Sequence, residues 1–278
     1  MAARLRERRF EVAVLLANSF RSALLARLAG IRYRVGYDRD GRGMLLTDRL
    51  LPEKEKGKYL PTPMIRYYNA IARYLGCRDC PTQLELFTTA EEEATAAAAL
   101  EQAGVGDGQP IVVLNPGASF GPAKCWLPER FAEVGDQLAE LHDAAVFVSC
   151  GPRETRIARR VAEQMTRKAT VLDSPVMKLG PSKALIRRAR LLVTNDTGPR
   201  HFANAFETPV VTVFGPTDPT WTLTNRPTER SVRVEVDCGP CMKRNCPVDH
   251  RCMTRVSSET VLAEADELLA AHGASTPV

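Results

Sequence analysis

The chain has 278 residues, of which 44% are hydrophobic and 26% charged, and this composition is typical of a globular protein with room for two modest domains. It contains no apolar run of the roughly 18 residues that a membrane helix needs, and its charged start lacks the apolar core of a secretory signal. We therefore expect a cytoplasmic protein. The net charge of +5 is uneven, since residues 1–60 carry fourteen Lys/Arg against seven Asp/Glu. Such a basic region suits a phosphorylated ligand or an anionic membrane face, and because no nucleic-acid-binding motif accompanies it we expect no nucleic-acid partner.

The first half of the chain predicts one strand–helix–strand unit and one further helix. The runs 11–17 and 31–36 have the pattern of buried strands, and 19–29 that of the helix between them. An amphipathic helix is predicted at 61–75. One such unit is too small to cover both faces of a parallel sheet. We therefore expect residues 1–105 to form an incomplete Rossmann-like domain, with a partner segment missing upstream.

The second half predicts a complete doubly wound α/β domain over residues 106–278. An Ala/Glu-rich helix at 90–103 ends in a Gly-rich stretch at 104–108, and we place the domain boundary there. From residue 111 onward strands and helices alternate, which is typical of a parallel sheet covered on both faces. The predicted strands lie at 111–114, 145–149, 169–172, 190–194 and 209–214, and the predicted helices at 128–141, 153–168, 181–188, 202–206 and 258–271.

Polar loops follow several of these strands, where open α/β sheets bind their ligands. The loop 115–119 contains Ser119 and leads to Lys124, a compact positive charge that suits a diphosphate. The loop 149–154 ends in Glu154, whose carboxylate suits the hydroxyls of a sugar or ribose. Taken singly, each loop is also compatible with an ordinary strand-to-helix turn, and for the Glu154 loop alone that structural interpretation is favoured.

A third polar loop, 195–201, reads Asn-Asp-Thr-Gly-Pro-Arg-His and precedes a short helical segment. Backbone N–H groups and the positive end of a helix dipole favour a phosphate at such a position. Asp196, Thr197, Gly198 and His201 are the candidates here, although the same residue types also form plain turns and N-caps. Because three such loops converge at one edge of the predicted sheet, we predict a nucleotide-sugar site.

Four cysteines crowd into residues 238–253, which we call the Cys-rich segment. In a cytosolic protein such crowding indicates metal binding or local packing in preference to structural disulfides. Four thiolates would enclose a structural Zn²⁺ tetrahedrally, while buried thiols or a disulfide are the alternatives. The four residues are Cys238, Cys241, Cys246 and Cys252.

In combination, these motifs resemble glycosyltransferase family 9, the bacterial ADP-heptose:lipopolysaccharide heptosyltransferases, and are most similar to the heptosyltransferase II type. The resemblance implies a GT-B fold with two Rossmann-like domains. It also implies an inverting transfer of heptose from ADP-heptose to the inner core of lipopolysaccharide, by an enzyme in peripheral contact with the inner membrane. The motifs that carry it lie at 115–126, 151–154, 195–201 and 214–221, and the Cys-rich segment is similar as well.

The resemblance also implies roles for the candidate residues. Lys124 would contact the donor diphosphate, and Glu154 the donor nucleoside or its ribose. The loop that begins at Asp196 would hold the diphosphate-heptose, with His201 supporting it. No cofactor is required on this reading, and a divalent cation is an open alternative.

The catalytic residue is unknown from the sequence. Family members begin with a loop whose aspartate is thought to deprotonate the acceptor hydroxyl, and this chain starts beyond that loop. Asp38, Asp40 and Asp48 are candidates only by default. The alternatives are therefore a transferase for another nucleotide sugar, or a donor-binding remnant without efficient turnover.

Overall fold

The structure is a computed structural model, and it describes residues 1–272. It divides into two compact units, the first formed by Met1–Thr82 with Thr220–Thr224 and the second by Gln83–Pro219 with the described residues from Asn225 onward. Within residues 1–272, none of the helices is both long and apolar enough to cross a membrane.

The first unit contains a three-stranded parallel sheet in the order β1-β2-β3. The predicted strand–helix–strand unit is confirmed, and Ser19 begins its helix by accepting a hydrogen bond from the Ser22 N–H. The later helix packs on the sheet through Tyr67, whose ring stacks on that of Tyr37 at 3.7 Å between centroids. The elements are α1 (Ala2–Glu7), β1 (Val12–Leu15), α2 (Phe20–Leu28), β2 (Tyr33–Tyr37), β3 (Asp48–Leu50), β4 (Lys54–Glu55), β5 (Lys58–Tyr59) and α3 (Met64–Tyr74).

The second unit is a six-stranded, wholly parallel sheet in the order β11-β10-β9-β6-β7-β8. This is the order of a doubly wound dinucleotide-binding domain, and the direction of winding reverses between β6 and β9. The elements are α4 (Ala90–Ala103), β6 (Ile111–Asn115), α5 (Pro128–His142), β7 (Ala145–Val148), α6 (Thr155–Gln164), β8 (Ala169–Val171), α7 (Leu179–Arg188), β9 (Leu191–Asn195), α8 (Gly198–Phe206), β10 (Val210–Val213), β11 (Glu229–Val232), α9 (Arg251–Thr254) and α10 (Ser258–Ala271).

Helices cover both faces of this sheet, which explains why every residue of β6 and β9 is buried. On one face α5 and α10 contribute Phe131, Leu138 and Leu268 to the core. On the other face α7 contributes Leu185 and Ile186. The alternation predicted from the sequence thus forms one hydrophobic core on each face of a sheet whose polar loops emerge at its edge.

The boundary between the units falls at 82/83, whereas the sequence predicted it at 105/106. The reason is that α4 packs on α7 and belongs to the second unit. Ala96 of α4 is fully buried in the same core cluster as Leu185, and Glu92 pairs with Lys183 at 3.2 Å. The Gly-rich stretch at 104–108 is a turn within the second unit.

Candidate functional site

The candidate site lies where β6 and β9 end side by side, at the reversal point of the sheet, which is where doubly wound sheets bind ligands. Asn115 donates from Nδ2 to Thr194 Oγ1 at 3.1 Å. Asn195 accepts from the Trp126 N–H at 2.9 Å and donates to the Pro116 carbonyl at 2.7 Å. These buried side-chain hydrogen bonds hold the loop after β6 and the loop after β9 in a fixed arrangement.

Lys124 and Asp196, predicted from separate loops, form a buried ion pair. Lys124 Nζ lies 2.6 Å from Asp196 Oδ2 and 3.0 Å from the Asp196 carbonyl oxygen, and Thr217 Oγ1 donates to the same Oδ2 at 2.8 Å. Burial alone raises the pKa of Asp196, but the hydrogen bond and charge of Lys124, with Thr217 and Arg200, outweigh it and lower the pKa below its ordinary value. The carboxylate is therefore ionised at neutral pH and holds the ammonium group at the edge of the sheet.

Two charged residues that the predicted site did not include complete this network. Arg200, which is 1% exposed, lies 3.4 Å from Asp196 Oδ1 and forms a second ion pair with Glu229. Asn204 Nδ2 donates to Glu229 at 3.1 Å, and the Arg200 guanidinium lies 4.9 Å from the centroid of the Phe214 ring. The sequence signal for Arg200 is its position four residues after Asp196, whereas Glu229 lies in a strand that was not predicted.

Helix α8 begins at Gly198, four residues before the start predicted at 202. Thr197 is its N-cap residue but makes no side-chain capping hydrogen bond, and Gly198 is exposed. Because Thr197 does not cap this end, the exposed Gly198 N–H and the positive end of the helix dipole suit an anion. In the same turn, burial and then the charge of Arg200 lower the pKa of His201, so its imidazole is neutral at pH 7.

The other two candidates lie in neighbouring loops. Glu154 precedes α6 and accepts a hydrogen bond from the Gly151 N–H at 2.8 Å. It packs against Gly117, where a Cβ would lie 2.3 Å from the Glu154 carboxyl group, so a side chain at position 117 would displace that carboxylate. The structure thus brings Glu154 against the loop that leads to Lys124. Ser119 is exposed in that loop and takes no part in the buried network described above.

The four thiols of the Cys-rich segment line one cavity together with His250, and all of them are free. The disulfide alternative therefore does not occur in the structure. Among residues 1–272, no group of three or more His, Cys, Asp or Glu side chains is arranged to hold a metal ion. The structural Zn²⁺ at Cys238, Cys241, Cys246 and Cys252 stays a prediction.

Two of the default candidates for a general base already have partners within the first unit. Asp38 pairs with Arg49 at 3.7 Å. Hydrogen bonds from Thr47 and then Tyr74 lower the pKa of Asp48. A general base works best with a pKa near the operating pH, so this environment does not favour Asp48.

Two Rossmann-like units, with a buried network of paired charges at the reversal point of the larger sheet, define the class of this protein as a GT-B-type α/β protein. A family model for glycosyltransferase family 9 (heptosyltransferase) matches residues 1–251. The chain therefore belongs to glycosyltransferase family 9, as the motifs predicted.

Individual relatives agree with the family match. The chain is 29% identical to lipopolysaccharide heptosyltransferase 2 of Escherichia coli K12 over 272 residues, which cover 95% of this chain and 77% of that protein. It is 32% identical to lipooligosaccharide heptosyltransferase 2 of Campylobacter jejuni serotype O:2 over 168 residues, so the match covers 59% of this chain and spans about half, 52%, of that relative. The solved structure of E. coli ADP-heptose lps heptosyltransferase II superposes with a TM-score of 0.77 at 25% identity, covering 98% of this chain and 80% of that one. The predicted GT-B fold is thereby confirmed.

Proposed function

We propose that this chain transfers a heptose from ADP-heptose to the inner core of lipopolysaccharide, with inversion at the anomeric carbon. The observation that carries the proposal is the Lys124–Asp196 pair beside the uncapped N-terminus of α8. In this family 9 chain the pair lies at the reversal point of the sheet, between the ends of β6 and β9. The relatives' names, which specify lipopolysaccharide heptosyltransferase 2 and an ADP-heptose enzyme, support the choice of donor and acceptor.

The donor diphosphate would lie between Lys124 and the first turn of α8. Without donor, the Lys124 charge is balanced by Asp196, so the site carries no large positive potential that attracts anions unselectively. When the donor is bound, the Lys124 ammonium and the Gly198 N–H would donate hydrogen bonds to the diphosphate. Both groups would then lie where negative charge grows as ADP leaves the anomeric carbon, and fixed donors at such a position stabilise the transition state.

The remaining site residues would orient the sugar and the nucleoside. We assign Glu154 to the ribose, because a carboxylate accepts hydrogen bonds from two vicinal hydroxyls. Asp196 and Thr197 would contact the heptose side of the diphosphate, and Ser119 would reach it from the loop after β6. The imidazole of His201, kept neutral by its burial, would support the turn from within α8.

No cofactor is part of this proposal, since Lys124 and the α8 terminus supply the positive charge that the leaving group needs. A divalent cation bound with the diphosphate is the alternative, and transfer rates with and without EDTA distinguish the two. We further propose a cytoplasmic protein in peripheral contact with the inner membrane. Its basic first 60 residues support that contact, because Lys and Arg near an anionic membrane surface are attracted to it.

The proposal is tested by calorimetric titration with ADP-heptose, ADP-, UDP- and GDP-sugars. We expect a preference for ADP-heptose, and Lys124→Met should weaken its binding by about 10- to 100-fold, the loss expected for a hydrogen bond to a charged group. Lys178→Met is the matched control, because Lys178 is exposed at the start of α7. This variant should bind ADP-heptose as tightly as the unmodified chain does. A preference for UDP-sugars, or no ADP release with a heptose-deficient acceptor, would contradict the proposal.

A further inference from the structure

The Cys-rich segment contacts two loops beside the candidate site, the one after β6 and the one after β10. Met242 N donates to the Pro216 carbonyl at 2.8 Å. Ala123 N donates to the Arg244 carbonyl at 3.1 Å, and the Ala123 carbonyl is 2.8 Å from His250 Nε2. Ala123 is thus held through both its N–H and its carbonyl, one residue before Lys124. The position of Lys124 therefore depends on the Cys-rich segment.

Gly121 shows how closely the segment approaches. Its φ of +154° lies in a region that residues with a side chain rarely adopt, and a Cβ there would lie 2.5 Å from the Arg244 carbonyl oxygen. The backbone of Arg244 therefore lies directly against the loop after β6.

The Arg244 side chain contacts Phe120, the residue that Lys124 also contacts. Its Nε donates to the Phe120 carbonyl at 2.6 Å, and its guanidinium carbon lies 5.8 Å from the centroid of the Phe120 ring. Lys124 Nζ lies 5.0 Å from the centroid of that same ring. One aromatic ring thus contacts both cations, and each cation is attracted to the ring.

Of these two cations, Lys124 and Arg244, only Lys124 is paired with a carboxylate among the described residues. The charge of Lys124 is balanced by Asp196, which is buried with it. Arg244 is exposed, its hydrogen bond and ring contact both go to Phe120, and within the described part of the chain no carboxylate pairs with it. The uncompensated positive charge at this edge is therefore that of Arg244.

We propose that Arg244 is a second binding residue for the donor diphosphate, held by Phe120, whose ring also contacts Lys124. A diphosphate carries more negative charge than one lysine neutralises, and the planar guanidinium binds phosphate oxygens through two parallel hydrogen bonds. The inference rests on the proposed function, since it assigns a contact of the same donor. It gives the Cys-rich segment two tasks, which are to position the Lys124 loop and to supply this cation.

The test is the affinity for ADP and for adenosine, measured by calorimetry on the full chain and on Arg244→Ala, Arg244→Gln and Arg244→Lys. We expect the Ala and Gln variants to bind ADP about tenfold more weakly with adenosine affinity unchanged, and the Lys variant to recover part of the loss. Higher salt should narrow the difference, because the contact is exposed. Arg251→Ala is the control, since Arg251 lies in the same segment but pairs with Asp249 at 2.9 Å, and it should bind ADP within about twofold of the unmodified chain.

Two results would overturn the inference. One is unchanged ADP affinity in Arg244→Ala and Arg244→Gln. The other is an equal loss of ADP and adenosine affinity, which would show a distorted site and no phosphate contact. Failure of the unmodified chain to bind ADP is a different result, because it would contradict the proposed function itself.

Discussion

Each oxygen of the Asp196 carboxylate faces a cation, Lys124 at Oδ2 and Arg200 at Oδ1. Arg200 is also paired with Glu229, which lies in β11. Arg200 and Glu229 are 1% and 6% exposed, so both charges have lost their hydration. Removing a charge from water costs several kcal/mol, and a buried pair compensates this only while both partners are present. The two residues must therefore be kept together or replaced together.

We predict that Arg200→Met destabilises the chain by about 3–5 kcal/mol, because Glu229 would remain buried without its cation. The double variant Arg200→Met, Glu229→Met should recover most of that loss, since apolar side chains of similar volume often replace a buried pair at little cost. Urea unfolding of the two single variants and the double variant measures the coupling free energy. If the double variant is as unstable as the sum of the singles, the two charges do not act as a pair.

The site residues that could be predicted from the sequence are those in loops directly after strands. Lys124 and Asp196 were found from polar residues next to apolar runs, since the carboxyl ends of parallel strands meet at one edge. Glu229 was missed because β11 is only partly buried and reads Glu-Arg-Ser-Val, without the apolar pattern of a strand. A buried ion pair between residues 29 apart depends on tertiary packing, which no local pattern encodes.

At the scale of elements, α4 illustrates how local signals fix both helix ends. Thr89 Oγ1 accepts from the Glu92 N–H at 3.2 Å, and Glu92 accepts from the Thr89 N–H at 2.9 Å, which is a capping box. Gly104 closes the helix in the left-handed conformation at φ +77°. The predicted range 90–103 is therefore the observed one. In α8 the N-cap Thr197 and the proline of the first turn are also start signals. The predicted start was four residues late because residues 195–201 were interpreted as a loop.

Removal of the capping hydroxyl gives a prediction at this scale. Thr89→Ala should lower the free energy of unfolding by about 1 kcal/mol, because the first turn of α4 loses a bond to an otherwise unpaired N–H. Thr95→Ala is the matched control, since Thr95 is exposed within the same helix and bonds only back to the Glu91 carbonyl at 2.8 Å. Urea unfolding should show Thr95→Ala unchanged or slightly stabilised. Equal losses in both variants would contradict the capping role.

At the scale of the whole molecule, the position of the domain boundary is set by contacts of α4 that a linear pattern does not show. Glu93 of α4 forms ion pairs with Arg187 at 3.2 Å and Arg188 at 2.8 Å, both in α7, and Ala96 is fully buried. The sequence placed the boundary after α4 because a run with three glycines resembles a linker. Such a run is equally suited to a turn between a helix and the strand that follows it.

This division predicts how fragments of the chain behave. A fragment of residues 83–278 should unfold cooperatively and retain ADP binding, because Lys124, Asp196 and Arg244 all lie in the second unit. A fragment of residues 106–278 lacks α4, so the face of α7 that packs on it would be exposed. We expect it to be less stable by more than about 3 kcal/mol, the scale of a large truncation in a core.

Urea unfolding followed by tryptophan fluorescence compares the two fragments, since Trp126 is buried in the second unit at 1% exposure. ADP titration of each fragment then separates loss of stability from loss of the site, because α4 contributes no residue to the charged network. We expect the fragment 83–278 to bind ADP as the full chain does. The fragment 106–278 should bind ADP only under conditions in which it remains folded. Equal stability of the two fragments would place α4 outside the second unit and return the boundary to 105/106.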